Sequence, residues 1–264
     1  MYMKSCTTPK VVFIVPYRDR ETQKHDFIKQ MEYLLSDTDK NVYRILFIHQ
    51  CDKRTFNRGA LKNIGFLTVK NDYPETYKSI TLCFNDIDTY PTKQELITDY
   101  STIPGIVKHF YGYRFTLGGI VSINADDFEK INGFPNYWSW GYEDNMLNNR
   151  VVQANLIVDR SVFFVISDKR ISQINNSPFR TVNKIEFGRY VAKNNEGIDS
   201  IFNLRYNIND DNGVVNVTYF DTNFIPYPQF DVEYDTRLTT PPFQVVNNNR
   251  RRTTSMNLLS MNLS

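Results

Sequence analysis

The chain has 264 residues and a formal net charge of +2. That length can bury a sizeable core without staples, and charges this evenly mixed argue against a nucleic-acid-binding surface as the main feature. Three cysteines, Cys6, Cys51 and Cys83, show neither a disulfide framework nor zinc spacing, which points to a reducing compartment. The first residues carry no apolar run of the signal-peptide kind, and no stretch approaches a membrane span of about 20 apolar residues. A soluble, cytoplasmic chain with no nucleic-acid partner is expected.

In chain order, "KVVFIVPYRDR" is β-branched and apolar up to Pro16, the pattern of a buried strand that opens into a loop. From Thr22 to Leu35, Phe27, Met31, Leu34 and Leu35 recur at helical spacing. "VYRILFIHQ" reads as a second strand and "FNRGALKNIGFLTVK" as a helix with Leu61, Ile64 and Gly65 on one side. "SITLCFNDIDTYP" reads as a third strand that breaks at Pro91. This alternation is the order of an α/β domain with a Rossmann-like, mainly parallel sheet.

The second half is more mixed. "LGGIVSINADDFEKINGF" predicts a strand, a cap at Asn124 and a short helix closed by Gly133. Glu143 to Gln153 predicts another helix through Met146, Leu147, Arg150 and Val151. "LIVDRSVFFVIS" predicts two short strands, and "LRYNINDDNGVVNVTYFD" alternates about an Asp-Asn-Gly turn, which marks a hairpin. Beyond about Pro226 the chain turns Pro-, Asn- and Arg-rich. A flexible tail is expected over 239–264, including Arg250, Arg251 and Arg252.

Four segments carry chemistry. In "VPYRDR", at a strand end where open α/β sheets bind ligands, Arg18 and Arg20 offer planar forks suited to phosphate. Tyr17 offers a face for a ribose or base, although a solvated loop behind a structural proline is the plain alternative. Phe56, ahead of a helix start, could stack on a base or simply staple the helix, with Arg58 in the first turn. In "FNDIDTYP", Asp86 and Asp88 would share a side of an extended segment. Paired so, they need a cation or hydrogen-bond donors, and Mg2+ or Mn2+ bridging to a diphosphate suits oxygen ligands. In "GFPNYWSWGYEDN", both tryptophans of the chain, Trp138 and Trp140, precede Glu143 and Asp144. An acid beside an indole and a glycine suits a base held against a sugar ring. The acids could also serve the dipole of the helix they begin, with the tryptophans in the core; two so close in a Gly- and Ser-containing loop fit a sugar-facing loop better.

Taken in this order, "VPYRDR", "FNRGALKNIGF", "FNDIDTYP", "LGGIVSI" and "INGFPNYWSWGYEDNMLNNRV", with "EGIDSIFNLRYNI" near the end, resemble the β-1,4-galactosyltransferase family (glycosyltransferase family 7) over roughly Lys10 to Asp221. The resemblance implies an α/β GT-A fold in one catalytic domain over 1–238, with a nucleotide-binding half at about 10–91 and an acceptor half at about 92–225. It implies inverting transfer of galactose or N-acetylgalactosamine from a UDP-sugar to a hydroxyl of a glycan or glycosylated acceptor. Pro16, Tyr17, Arg18 and Arg20 would line the UDP site, and Phe56 would stack on uracil beside Arg58. Asp86 and Ile87 would meet the nucleotide sugar, and Asp88 would hold Mn2+ or Mg2+. Gly119 would lie near the donor, and Trp140 would cover both sugars on a loop that closes. Glu143 would hold sugar hydroxyls, and Asp144 would take the proton of the attacking hydroxyl.

The chain also departs from that family. No histidine follows His109, where the family supplies further metal contacts. Asp168 is then a candidate second ligand, Lys169 and Arg170 are candidates to neutralise the leaving diphosphate directly, and a weaker dependence on metal is expected. Thr116 stands where vertebrate members have a tyrosine that excludes an N-acetyl group, so UDP-GalNAc is expected to compete with UDP-Gal. Ser139 replaces a motif glycine. The family's anchor, stem and disulfide pairs have no counterpart, so a viral or microbial soluble member is expected. A non-catalytic descendant that binds a glycan or nucleotide is the alternative.

Overall fold

The computed structural model describes residues 7–174, 177–238 and 242–243. Cys6, the arginine run at 250–252 and nearly all of the expected tail lie outside the described residues. The elements in chain order are β1 (Val11–Tyr17), α1 (Glu21–Leu34), β2 (Tyr43–Gln50), α2 (Arg58–Asp72), β3 (Thr81–Asn85), β4 (Thr89–Pro91), β5 (Ile106–Gly112), β6 (Ile120–Asn124), α3 (Ala125–Lys130), α4 (Glu143–Gln153), β7 (Ile157–Asp159), β8 (Phe164–Val165), β9 (Ile171–Gln173), β10 (Phe179–Asn183), α5 (Lys184–Val191), β11 (Phe202–Asn209), β12 (Val214–Asp221) and β13 (Asp231–Asp235).

Every residue of β1 is buried, because β1 lies between β2 and β3 and carries helices on both faces. The strand period of two sorts its side chains. Val12 and Ile14 pack with Leu61 and Ile64 of α2, while Val11, Phe13, Val15 and Tyr17 pack with Phe27 and Met31 of α1. A Cβ on Gly65 would stand 2.4 Å from Cγ2 of Ile14, so the α2 backbone rests directly on the strand.

The main sheet runs β11-β12-β2-β1-β3-β6-β5-β7, with β8 also pairing β5. Pairs β12/β2, β2/β1, β1/β3, β5/β7 and β5/β8 are parallel, and β3/β6, β6/β5 and β11/β12 antiparallel. The mainly parallel α/β expectation holds, and one sheet draws strands from both halves of the chain. The carboxyl ends of β1, β2 and β3 open on one edge, where α1 and α2 begin. Antiparallel β6 sets Ile120 opposite Asn85, so the Gly118–Gly119 pair lands beside the end of β3.

Three local expectations change. The third strand does not continue to Pro91: β3 ends at Asn85, a turn closes from Thr89 N–H to the Asp86 carbonyl (3.1 Å), and β4 leaves to pair with β9. The stretch 99–115, in the acceptor half and assigned no element from the sequence, contains the largely buried strand β5. Neither β10, α5 nor the β10/β13 ribbon was anticipated. Among the described residues no helix is long and apolar enough to cross a membrane, and Cys51 and Cys83 are free thiols.

Candidate active site

Three chain segments meet at the open edge of the sheet. Helix α2 starts at Arg58 because the Asn57 side chain accepts from Ala60 N–H at 2.9 Å and caps it. Residues one turn apart share a face, so Arg58 and Lys62 point the same way. Helix α4 starts at Glu143 after two left-handed residues, Gly141 (φ +105°) and Tyr142 (φ +71°). That reversal aims Glu143 and Asp144, in the first turn, at α2. The third segment is the Asp86–Thr89 turn.

The contacts are charged and specific. Arg58 Nη2 pairs with Asp86 Oδ1, and Arg58 Nε lies 3.6 Å from Glu143 Oε1. Lys62 Nζ lies 3.0 Å from Asp144 Oδ1 and 4.2 Å from the centre of the Phe134 ring. On the other side of Asp144, a Cβ on Gly118 would stand 2.1 Å from Oδ2, so only glycine admits this carboxylate. Leu117 N–H bonds the Asp144 carbonyl at 3.1 Å, which ties the same loop to α4. Gly119 holds φ +77° with its carbonyl on Asp86 N–H at 3.3 Å.

The electrostatics follow from burial among like charges. Burial, then Asp144, pushes the Glu143 carboxyl up, against Arg58 and Lys62. Burial, then Asp86, likewise raises Asp88, against Arg58 and Arg20. Burial works to lower Arg58, but Asp86, Asp144 and Glu143 outweigh it and its net direction is up. Arg180 of β10 is held below its ordinary value by burial, drawn back up by Asp88 and pushed down by Arg20 and Arg58. At full ionisation Arg20, Arg58, Lys62 and Arg180 balance Asp86, Asp88, Glu143 and Asp144.

His109 supports this arrangement from below. Its Nδ1 accepts from Arg160 Nε at 3.1 Å, so Nε2 carries the proton and donates to the carbonyls of Tyr111 (3.0 Å) and Gly118 (3.1 Å). Burial and Arg160 push the imidazole down to about 4, so it stays neutral and fastens the Gly118 loop to β5.

Several expected residues are placed otherwise. Pro16 and Tyr17 belong to β1 itself: Tyr17 is 2% exposed and stacks on His49 at 4.7 Å, so its ring is a core ring rather than a ribose platform. Ile87 is buried in the cluster that holds Tyr17 and Phe27, leaving only its backbone near the turn. Arg18 donates to the Arg54 carbonyl at 2.6 Å and lies over Phe56 (5.4 Å), taking one face of that ring. Thr116 is buried beside Leu117. The tryptophans separate: Trp138 is 1% exposed and Trp140 is 36% exposed. Trp138 stacks on Phe220 at 5.2 Å and donates to the Phe224 carbonyl at 2.7 Å. It is core, which corrects the reading of both as sugar-facing. Trp140, its N–H on the Thr181 carbonyl (2.9 Å), is the one at the rim.

The metal expectation also changes. Asp88 sits at one end of the β4/β9 ribbon, beside Ile174 (N–H to carbonyl 2.9 Å), and Arg170 sits at the other, beside Thr92. Asp168 pairs there with Arg170 at 2.7 Å, and Lys169 is exposed. Neither Asp168, Lys169 nor Arg170 joins Asp88. Among the described residues no group of three His, Cys, Asp or Glu could hold a metal ion. What fits is narrower: the Asp88 carboxyl, raised by burial and by Asp86, gains from a nearby cation. Mg2+ commonly uses one or two carboxylates plus substrate phosphates.

Lys62, Gly118, His109 and Arg180 were not singled out from sequence. Lys62 alone carried a signal, a lysine four residues after Arg58 among apolar positions of a helix.

Known proteins resemble this chain in sequence and in fold. A model described as the N-terminal region of glycosyl transferase group 7 matches residues 3–99, and one described as the N-terminal domain of galactosyltransferase matches 106–175. The chain is 32% identical over 163 residues to a Caenorhabditis elegans xylosylprotein 4-beta-galactosyltransferase, covering 57% of this chain and 53% of the relative. It spans about half the length of the curated relatives it matches. The catalytic domain of Drosophila beta-1,4-galactosyltransferase 7 complexed with xylobiose superposes with a TM-score of 0.65 at 23% identity, covering 83% of this chain and 96% of that one. A mutant of that enzyme in complex with manganese, UDP-Gal and xylobiose gives 0.60 at 22% identity, with the same coverage. The fold is therefore that of these GT-A enzymes, and with both family models matching in chain order the chain belongs to the β-1,4-galactosyltransferase family, glycosyltransferase family 7.

Proposed function

We propose that the chain is an inverting glycosyltransferase that moves galactose from UDP-Gal to a hydroxyl of a sugar acceptor, with Asp144 as the general base. The observation that carries this reading is Asp144 itself, fixed between Lys62 and Gly118 in the first turn of α4, one residue from Glu143 and across from the Asp86–Asp88 turn. In this reading the acceptor oxygen attacks C1 of the donor sugar as its proton passes to Asp144. The C1–O bond to phosphate breaks, and the diphosphate leaves with the electron pair. Glu143 holds sugar hydroxyls beside the base, and Trp140 covers the sugars from the rim. Arg18 and Phe56 sit where the nucleotide would lie, beyond the ends of β1 and β2.

The leaving diphosphate needs positive charge, and the four cations of the site are already matched by four carboxylates. A divalent ion bound with the donor, Mn2+ or Mg2+, supplies that charge, and Asp88 is the residue to hold it. Arg20 and Arg180 flank the same turn and would bind phosphate oxygens. This reading favours metal dependence over direct neutralisation by Lys169 or Arg170. Manganese, UDP-Gal and xylobiose together in the related Drosophila complex support the assignment of donor, ion and acceptor class. The small Thr116 beside the Gly-Gly pair extends the donor range to UDP-GalNAc. The free thiols Cys51 and Cys83 favour a reducing, cytosolic location, which fractionation of the native source would check.

The test is UDP release from UDP-Gal and UDP-GalNAc with a panel of mono- and disaccharides that includes xylobiose, under Mn2+, Mg2+ or EDTA. Acceptor-dependent release that falls on the order of 10²–10⁴-fold in Asp144→Asn is expected. Donor binding with no release under any condition would instead favour a non-catalytic descendant, the alternative raised by the lack of a histidine after His109.

A further inference from the structure

We infer that Lys62 is the positioning residue of the base, holding Asp144 in one rotamer; this inference rests on the glycosyltransferase reading above. Lys62 lies on the buried face of α2 between Leu61 and Asn63, and its side chain is 2% exposed. Burying an ammonium costs stability unless it is paired. Its ion-pair partner is Asp144 at 3.0 Å, with the Phe134 ring beneath the charge.

The burden of this pair is unequal. The Asp144 side chain is 21% exposed and could be solvated without help, whereas Lys62 has no such outlet. An aliphatic residue would fill that place in α2 and fasten the helix to the core at least as well. What the ammonium adds is a fixed direction for Oδ1, which leaves Oδ2 over Gly118 as the oxygen to take the proton.

The charged and titratable groups around Asp144 are Lys62 and Arg58 from α2, Glu143 from its own helix and His109 from β5 behind Gly118. His109 is neutral above about pH 4 and Arg58 is committed to Asp86 and Glu143, which leaves Lys62 as the cation that meets Asp144 directly.

The experiment is kcat and KM for UDP release from UDP-Gal with the best acceptor of the panel, on wild type, Lys62→Met, Lys62→Gln and Lys62→Arg, with melting temperatures alongside. Lys62→Met is expected to lower kcat about tenfold with KM for UDP-Gal within about twofold. Lys62→Gln keeps a hydrogen-bond donor for Oδ1, so it should recover much of kcat, and it reads out the contact if Lys62→Met does not fold. Lys62→Arg keeps both charge and donors and should also recover kcat. A folded Lys62→Met with wild-type kcat, or a loss carried by KM instead of kcat, overturns the role of Lys62 alone. A wild-type chain that releases no UDP with any acceptor overturns the enzyme reading, and the role of Lys62 with it.

Discussion

Gly118→Ala tests the base without touching a charged group. An added Cβ would stand 2.1 Å from Asp144 Oδ2 and 2.6 Å from its Cγ. Non-bonded atoms settle at about 3.5 Å, so the carboxylate has to retreat by more than about 1 Å. A misplacement of about 1 Å at a reacting group costs on the order of 100-fold in rate. The backbone at Gly118 does not need glycine, since it is not among the residues with positive φ. The strain is therefore confined to the carboxylate, and the fold should survive with a small loss in melting temperature. The assay is kcat and KM for UDP-Gal in Gly118→Ala, in Asp144→Asn and in the double variant. If Gly118 matters only through Asp144, the double variant is no slower than Asp144→Asn, because a displaced base and an absent one fail in the same step. Two costs that multiply in full, or a Gly118→Ala enzyme with wild-type kcat, would refute the reasoning.

The two tryptophans should divide stability from activity. Trp138→Ala empties a fully buried site and should cost about 3–5 kcal/mol in chemical denaturation, whereas Trp140→Ala should leave the unfolding midpoint alone and raise KM. The second expectation is electrostatic. Glu186 and Glu196 share Arg189 in the core, at 2.5 and 2.6 Å, and burial pushes Glu186 up to about 7. The folded state therefore holds its proton more tightly than the unfolded state: the contribution is fully present below the ordinary value of 4.5 and is lost as pH rises through about 7. Stability should fall by up to about 1.4 kcal/mol per pH unit across that window, and Glu186→Gln should flatten the slope in denaturation curves taken between pH 5 and 8. The third concerns the ion: Asp88→Asn should raise the Mn2+ concentration for half-maximal UDP release at least tenfold, and Asp168→Ala should leave it unchanged. A reversal of those two results would move the ion to the other end of the β4/β9 ribbon.

The fold was legible where local pattern and burial agree. "VVFIV" and "ILFI" are apolar because β1 and β2 are covered, and the helices after them show their buried stripes. Strand β5 was missed because its sequence, "IVKHFYG", interrupts the apolar pattern with Lys108 and His109. His109 is tolerated there because the Tyr111 and Gly118 carbonyls and Arg160 satisfy both ring nitrogens, and the last two reach it from outside β5. The Asp-x-Asp turn was read as extended for a related reason. Thr89 and Pro91 look like a continuing strand, and only the distant Ile171–Gln173 segment shows that they pair elsewhere.

The site divides along the same line. Asp86, Asp88, Glu143 and Asp144 were legible because they cluster at the ends of elements, beside turns that a sequence spells out. Their partners were not. Lys62 reaches Asp144 across 82 positions, and Arg180 enters the field of Asp88 from a two-stranded ribbon no pattern announced. Trp138 and Trp140 lie two residues apart, yet one is core and the other rim, because Phe220 arrives from β12 to cover only the first. A sequence shows which groups could do chemistry; the fold decides which charges oppose them. At full ionisation four cations are balanced by four carboxylates, so this site offers little net positive charge to a diphosphate, and that is why the missing histidine does not by itself argue for a metal-free reaction. The charge balance predicts that the divalent ion enters with the donor.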